Sequence, residues 1–152
     1  MVLHWWFEEA QRRHGVSLGA PNCYVLDVSR DEWRQAAENI AAGGGRLLSL
    51  WATRNSDDRT HTVRAALLAD PGVLVLSLRL TASDAYYPGI EQQFPCASRM
   101  QRAVYDLSGL RTAAADTRPW LRHASWPSMF HPLSADPAPQ SSDPSVDDYA
   151  FV

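Results

Sequence analysis

The chain has 152 residues, 45% of them hydrophobic and 20% charged, a composition that fits a soluble globular domain large enough to bury a core. Its net charge of −3 argues against a nucleic-acid binder, which needs a basic footprint. No apolar run approaches the roughly 20 residues that span a bilayer, and MVLHWWFEEAQRRHG lacks the basic-then-apolar layout of a signal peptide, so the expected location is cytoplasmic.

Residues 3–14 predict a helix with Leu3, Trp6, Phe7 and Ala10 on one side and Glu8, Glu9, Arg12 and Arg13 on the other, ended by Gly15. Of the tandem Trp5 and Trp6, one ring faces the core and the other is left toward solvent or a partner. Pro21-Asn22 opens a strand over Cys23 to Val28. Ser29 with Glu32 three residues later forms a capping box for a helix to about Ala42, with Trp33, Ala36, Ala37 and Ile40 as its apolar stripe. Gly43-Gly44-Gly45 follows a helix and precedes no Lys-Ser or Lys-Thr, so it reads as a helix stop and not a phosphate loop.

Three further strands are expected: Arg46 to Thr53, His61 to Ala69 and Val73 to Leu80, separated by Asn55-Ser56-Asp57-Asp58 and Asp70-Pro71-Gly72. The order predicts an α+β domain with a mixed or antiparallel sheet of about four strands, helices packed on one face, and an extended C-terminal arm. Tyr87-Pro88-Gly89 is turn chemistry, Pro95 suits a first helical turn, and Met100, Ala103, Val104 and Leu107 mark one helical face. Gly109 is placed for a left-handed cap. Arg102 and Asp106 stand at i,i+4, the spacing of a helical ion pair, which reads either as a plain surface pair or as charge presented to a partner. Tyr105 is an interface anchor if it faces outward.

Residues 111–132 hold Trp120, Trp126, Phe130, Met129 and three prolines with little periodicity. Such a segment either packs on its own domain or lies against a partner. SADPAPQSSDPSVD at 134–147 has linker composition, and Asp148 to Val152 turns apolar again. The expected organisation is a domain over 1–133 and a linker or tail over 134–152 that leads toward a further domain.

Chemistry-bearing constellations are sparse. Cys23 and Cys96 lack a C-x-x-C partner and read as two reduced, largely buried thiols, a disulfide between them being unusual in a reducing compartment. His4, His14, His61, His123 and His131 are scattered and read as solvated or singly bonded. Glu8-Glu9, Asp57-Asp58 and Asp147-Asp148 read as solvated charges. With no cluster-binding cysteines, G-x-S-x-G or strand-linked G-x-G-x-x-G, no catalytic, cofactor or metal residue is expected.

Residues 95–110, PCASRMQRAVYDLSGL, resemble the signature of the 30-kDa subunit family of respiratory NADH:quinone oxidoreductase. That family also supplies the N-terminal domain of the large subunit in formate-hydrogenlyase-type nickel–iron hydrogenases. Pro95, Ala97, Arg102, Val104, Tyr105, Asp106, Leu107, Gly109 and Leu110 match the family pattern, whereas Arg99, Gln101, Ala103 and Ser108 differ from it, two of them at usual glutamates. Asp116-Thr117-Arg118 and His131-Pro132-Leu133 are similar to the family's D-x-R and H-P-L elements, and the resemblance covers about residues 22–133.

The resemblance implies a non-catalytic assembly domain of an NADH dehydrogenase or a group-4 nickel–iron hydrogenase complex. Its partners would be the large (49-kDa-like or hydrogenase) subunit and the iron–sulfur subunit. Iron–sulfur clusters, and nickel–iron in a hydrogenase, would reside in those partners and not in this chain. The chain would be peripheral on the inner face of the cell membrane, with Arg102, Tyr105, Asp106, Arg118, His131 and Pro132 at the partner interface. The alternative is a stand-alone small-molecule enzyme or sensor on the same scaffold, which would need a closed apolar pocket with convergent polar groups.

Overall fold

The structure is a computed structural model that describes residues 2–14, 22–56, 60–81, 83–114, 116–122, 126–127 and 129–134. Gly15, Asp57-Asp58, His123 and the tail over 135–152 lie outside the described residues. The elements run α1 (Val2–His14), β1 (Cys23–Asp27), α2 (Arg30–Ala42), β2 (Arg46–Arg54), β3 (Thr60–Ala69), β4 (Gly72–Thr81) and α3 (Ala97–Ser108). Every expected helix and strand is present, with shifts of one or two residues at their ends.

The sheet order is β1-β4-β3-β2, with β1 parallel to β4 and the other pairs antiparallel. It is therefore a mixed sheet in an α+β domain. The chain leaves β1 at one edge, crosses through α2 to β2 at the other, and returns by a three-strand meander. Strand alternation sorts the side chains. Leu26, Leu50, Val63, Leu67, Leu74, Leu76 and Leu78 share one face with Trp6, Phe7, Trp33, Ile40 and Val104 from the three helices. The opposite face carries Cys23, Val25, Val73, Ser49 and Arg64. Cys23 is half-buried there and Cys96, just before α3, is exposed, so the two free thiols are not largely buried as expected. A register shift between Leu47 and Ser49 leaves Leu48 exposed on the β2 edge.

Local chemistry accounts for the element ends. The Ser29 hydroxyl accepts from Glu32 N–H at 3.3 Å and the Glu32 carboxylate accepts from Ser29 N–H at 2.7 Å, closing the capping box. Gly43 N–H bonds Asn39 C=O at 3.0 Å, and Gly44 adopts φ +78 beyond it. Gly72 lies against Asn22, whose C=O accepts from Val73 N–H at 2.8 Å; an added Cβ would meet that oxygen at 2.0 Å.

In α1, Trp6 is buried and Trp5 is exposed, with the rings edge-on at 4.6 Å. Glu9 departs from its expected place on the solvent side. It is buried between the Arg12 and Arg13 guanidiniums, which satisfy its carboxylate, and Arg13 reaches on to Glu32 at 2.9 Å and to Asp27 C=O at 3.1 Å. Glu8-Glu9 is thus not a pair of solvated charges.

Pro95 lies two residues before α3 and not in its first turn. Tight bonds from Ala97 N–H to Phe94 C=O (2.8 Å) and from Ser98 N–H to Pro95 C=O (3.3 Å) lead into the helix. The expected apolar face of α3 is also displaced. Val104 is buried, but Met100, Ala103 and Leu107 are half-buried, while Gln101, Asp106 and Ser108 are buried. The cause is that α3 is covered on two sides, by β2 and by the chain that follows it.

Candidate functional site

The segment after Gly109 binds back across α3 by backbone bonds. Arg111 bridges Tyr86, with Arg111 N–H on Ala85 C=O and Tyr87 N–H on Arg111 C=O, both 2.9 Å. At the other end Leu133 N–H donates to Leu107 C=O at 2.7 Å. Between these ends the Asp106 carboxylate accepts from Trp120 N–H at 2.6 Å and Leu121 N–H at 2.7 Å. Asp106 is 1% exposed, so the expected i,i+4 pair with Arg102 does not form. Two backbone amides use the carboxylate that the pair would have used, and charge-assisted bonds of this kind outcompete an exposed ion pair.

His131 is buried under the same turn. Its Nδ1 lies 3.1 Å from Asp106 C=O, and its ring meets Tyr105 edge-on at 5.2 Å. Gly109 adopts φ +76, and an added Cβ would stand 3.1 Å from the His131 ring, so both the helix cap and the histidine favour glycine there. His131 is singly bonded as expected. His61 is not solvated: it is buried on β3, with Nε2 unpartnered among the described residues.

Gln101 is one of the positions at which the chain departs from the signature it resembles. Its carbonyl accepts from Ile90 N–H at 2.8 Å and its amide donates to Glu91 at 2.9 Å, so one neutral side chain ties α3 to the turn before it. That turn is anchored on α2: Trp33 Nε1–H bonds Pro88 C=O at 3.0 Å and stacks edge-on with buried Tyr87, whose phenol burial pushes above its ordinary range.

The outer surface is cationic and aromatic. Arg99 and Arg102 flank the Trp120 ring at 5.1 and 5.3 Å, and Arg111 covers Tyr105 at 5.2 Å. Arg118 chelates Asp116 through two 2.9 Å bonds, and the Arg102 Nε stands 3.6 Å from the same carboxylate. The Arg118 bonds hold the Asp116 carboxyl below the usual carboxylate range. The D-x-R element therefore closes on itself. Arg122 donates to the carbonyls of Phe130 and Trp126 at 3.3 and 3.4 Å and to that of Pro127.

Arg118 and Pro132 are exposed, Arg102 and Tyr105 are half-buried, and Asp106 and His131 support the surface from beneath. Sequence reasoning missed Gln101, Arg111 and the role of Trp120. The Ala97-Gln101-Val104-Ser108 spacing has the helical period, but a polar residue on it does not advertise burial.

The hollows here are open. One of about 330 Å³ lies between α3 and residues 111–117, lined by Arg102, Tyr105, Arg111, Thr112 and Asp116. A second runs from Pro95 and Cys96 past Arg99 to Trp120 and shares Arg102 and Asp116 with the first. Among the described residues no three His, Cys, Asp or Glu side chains are arranged to hold a metal ion, and no helix is long and apolar enough to cross a membrane.

Residues 26–142 match the family described as "Respiratory-chain NADH dehydrogenase, 30 Kd subunit". No curated protein matches the chain. Among solved structures, a chain in the structure of the membrane-bound sulfane sulfur reductase, an archaeal respiratory membrane complex, aligns with a TM-score of 0.60 and 13% identity, over 83% of this chain and 76% of that one. At that identity the likeness shows the fold alone.

Proposed function

Because the chain belongs to the respiratory-chain NADH dehydrogenase 30-kDa subunit family, we propose that it is a non-catalytic docking subunit or domain of a multi-subunit respiratory membrane complex. The proposed partners are the large subunit, 49-kDa-like or hydrogenase, and the iron–sulfur subunit, which would carry the clusters. Electrons would pass through those partners. Membrane association would come through the complex.

One observation carries this reading: the arm after α3 is bonded to its own domain at both ends yet leaves four large apolar side chains exposed. Trp120, Leu121, Met129 and Leu133 are all exposed, Met129 by 69%. Unburied aromatic and aliphatic groups beside arginines have the composition of an interface core before its partner arrives. The hollows are open grooves, which supports docking over small-molecule chemistry. Trp120, flanked by two arginines, is the expected anchor, with Arg118, Tyr105 and Pro132 around it.

The test is purification of the tagged chain from native membranes, with metal analysis and mass spectrometry, alongside Trp120→Ala. Recovery of a stoichiometric large subunit with iron–sulfur clusters, lost or weakened in the variant, supports docking. A metal-free monomer in both preparations would shift the reading to a stand-alone enzyme or sensor.

A further inference from the structure

Charge is unevenly spread along this sequence. Residues 95–134 carry five arginines against two aspartates, whereas residues 135–152 carry four aspartates and no basic residue, in a chain whose net charge is −3. The two aspartates of the basic region are already engaged, Asp106 by two backbone amides and Asp116 by Arg118. Arg99, Arg111 and Arg122 have no carboxylate partner among the described residues; they stack on Trp120 and Tyr105 or donate to neutral carbonyls. An arginine stacked on a ring keeps outward N–H groups for a carboxylate.

We propose that this basic aromatic surface, made by α3 and the arm, is a docking site for the chain's own acidic segment, residues 135–152. The occupant is chosen by charge complementarity and by reach. Ser134 is held to the arm, its N–H on His131 C=O at 2.9 Å, and the neighbouring Leu133 is bonded to the end of α3. From that anchor Asp143 to Asp148 are nine to fourteen residues away, and an extended chain covers about 3.3 Å per residue. The twelve residues of α3 span only about 18 Å, so the aspartates reach any point along its outer face. Tethering also keeps the local concentration of the segment at about millimolar, high enough for individually weak pairs to hold together. Tyr149 and Phe151 would bring apolar groups to the grooves beside Trp120. The contact itself stands on charge and reach; its consequence, that a partner must displace the segment to reach Trp120, rests on the docking role proposed above.

Cys96 lines the groove beside Arg99 and Trp120 and is exposed, which makes it a site for a spin label in a Cys23→Ser full-length background. A second label at Ser49→Cys, with both native cysteines replaced by serine, reports on the opposite face of the sheet. The readout is the amide signal intensity of residues 136–152 with the label oxidised against reduced. From position 96 these signals should fall at least about twofold at low salt and recover at about 0.5 M NaCl, where screening acts within roughly 4 Å. Replacing Asp143, Asp147 and Asp148 by asparagine should restore them as well. Unchanged intensities from position 96, loss from position 49 alone, or loss that survives both salt and the asparagine variant would each overturn the proposal. Large-subunit recovery in the native purification tests the docking role separately, so the two can fail independently.

Discussion

At Gly109 a helix cap and a side-chain contact meet in one residue. Gly109→Ala forces a left-handed backbone on a residue with a Cβ and presses that Cβ on His131, so a loss of about 1–2 kcal/mol in denaturant unfolding is expected. Gln101 makes a second test. Gln101→Leu keeps the volume and strands Ile90 N–H, which should cost about 1–3 kcal/mol. Gln101→Glu keeps the acceptor but sets a carboxylate against Glu91, raising the folded pKa of that pair. The penalty should be complete above the raised folded pKa, shrink as pH falls through it and the site binds a proton, and vanish below the unfolded carboxylate pKa. A pH-independent penalty in urea titrations would show that the two carboxylates do not interact. Gly109 is legible in sequence because helix stops have a fixed chemistry, and so is the helical span. Asp106 is not, because i,i+4 spacing names an available partner and cannot reveal two backbone amides fourteen and fifteen residues downstream.

At the scale of elements, α1 is joined to α2 by carboxylates. Arg12 and Arg13 hold the Glu9 carboxyl below its ordinary 4.5, and the Ser29 N–H, with Arg13, lowers that of Glu32. Both folded pKa values are depressed, so the stability they lend is present above the unfolded value and is lost as pH falls through the folded ones. Amide hydrogen-exchange protection factors in α1 should therefore fall below about pH 4.5 ahead of those in β3 and β4. A simultaneous fall everywhere would mean that these bonds do not gate local opening. The helices and strands are legible from periodicity and turn residues. The polar inner side of α3 is not, because its burial comes from the arm crossing it, a contact between segments with no shared local pattern. Likewise helical phase alone assigns Glu9 to solvent, although two arginines one turn later make its burial tolerable.

For the molecule as a whole, the α+β class and the single crossing helix follow from element order. The strand order does not, since sequence alone leaves open whether β1 joins the sheet beside β2 or beside β4. The chain takes the long route, and Cys23 pairs with Val73. That arrangement divides the core by the time at which it can form. The β2-β3-β4 meander joins near neighbours, whereas β1 and α2 must close a loop across it. Val63→Ala, within the meander, should slow refolding in stopped-flow measurements, while Leu26→Ala, on the late strand, should mainly speed unfolding. Equal effects on both limbs would place β1 in the folding nucleus.

The crossover has a further consequence during synthesis. Trp6, Trp33 and Ile40 leave the ribosome before Leu74 and Leu76, the strand residues beside which β1 must lie. At about 5–20 residues per second the segment that carries them waits on the order of seconds with those side chains uncovered. The N-terminal third of this protein is therefore the part most in need of shelter by a chaperone while it is being made, and a pause in translation ahead of β4 would prolong that need.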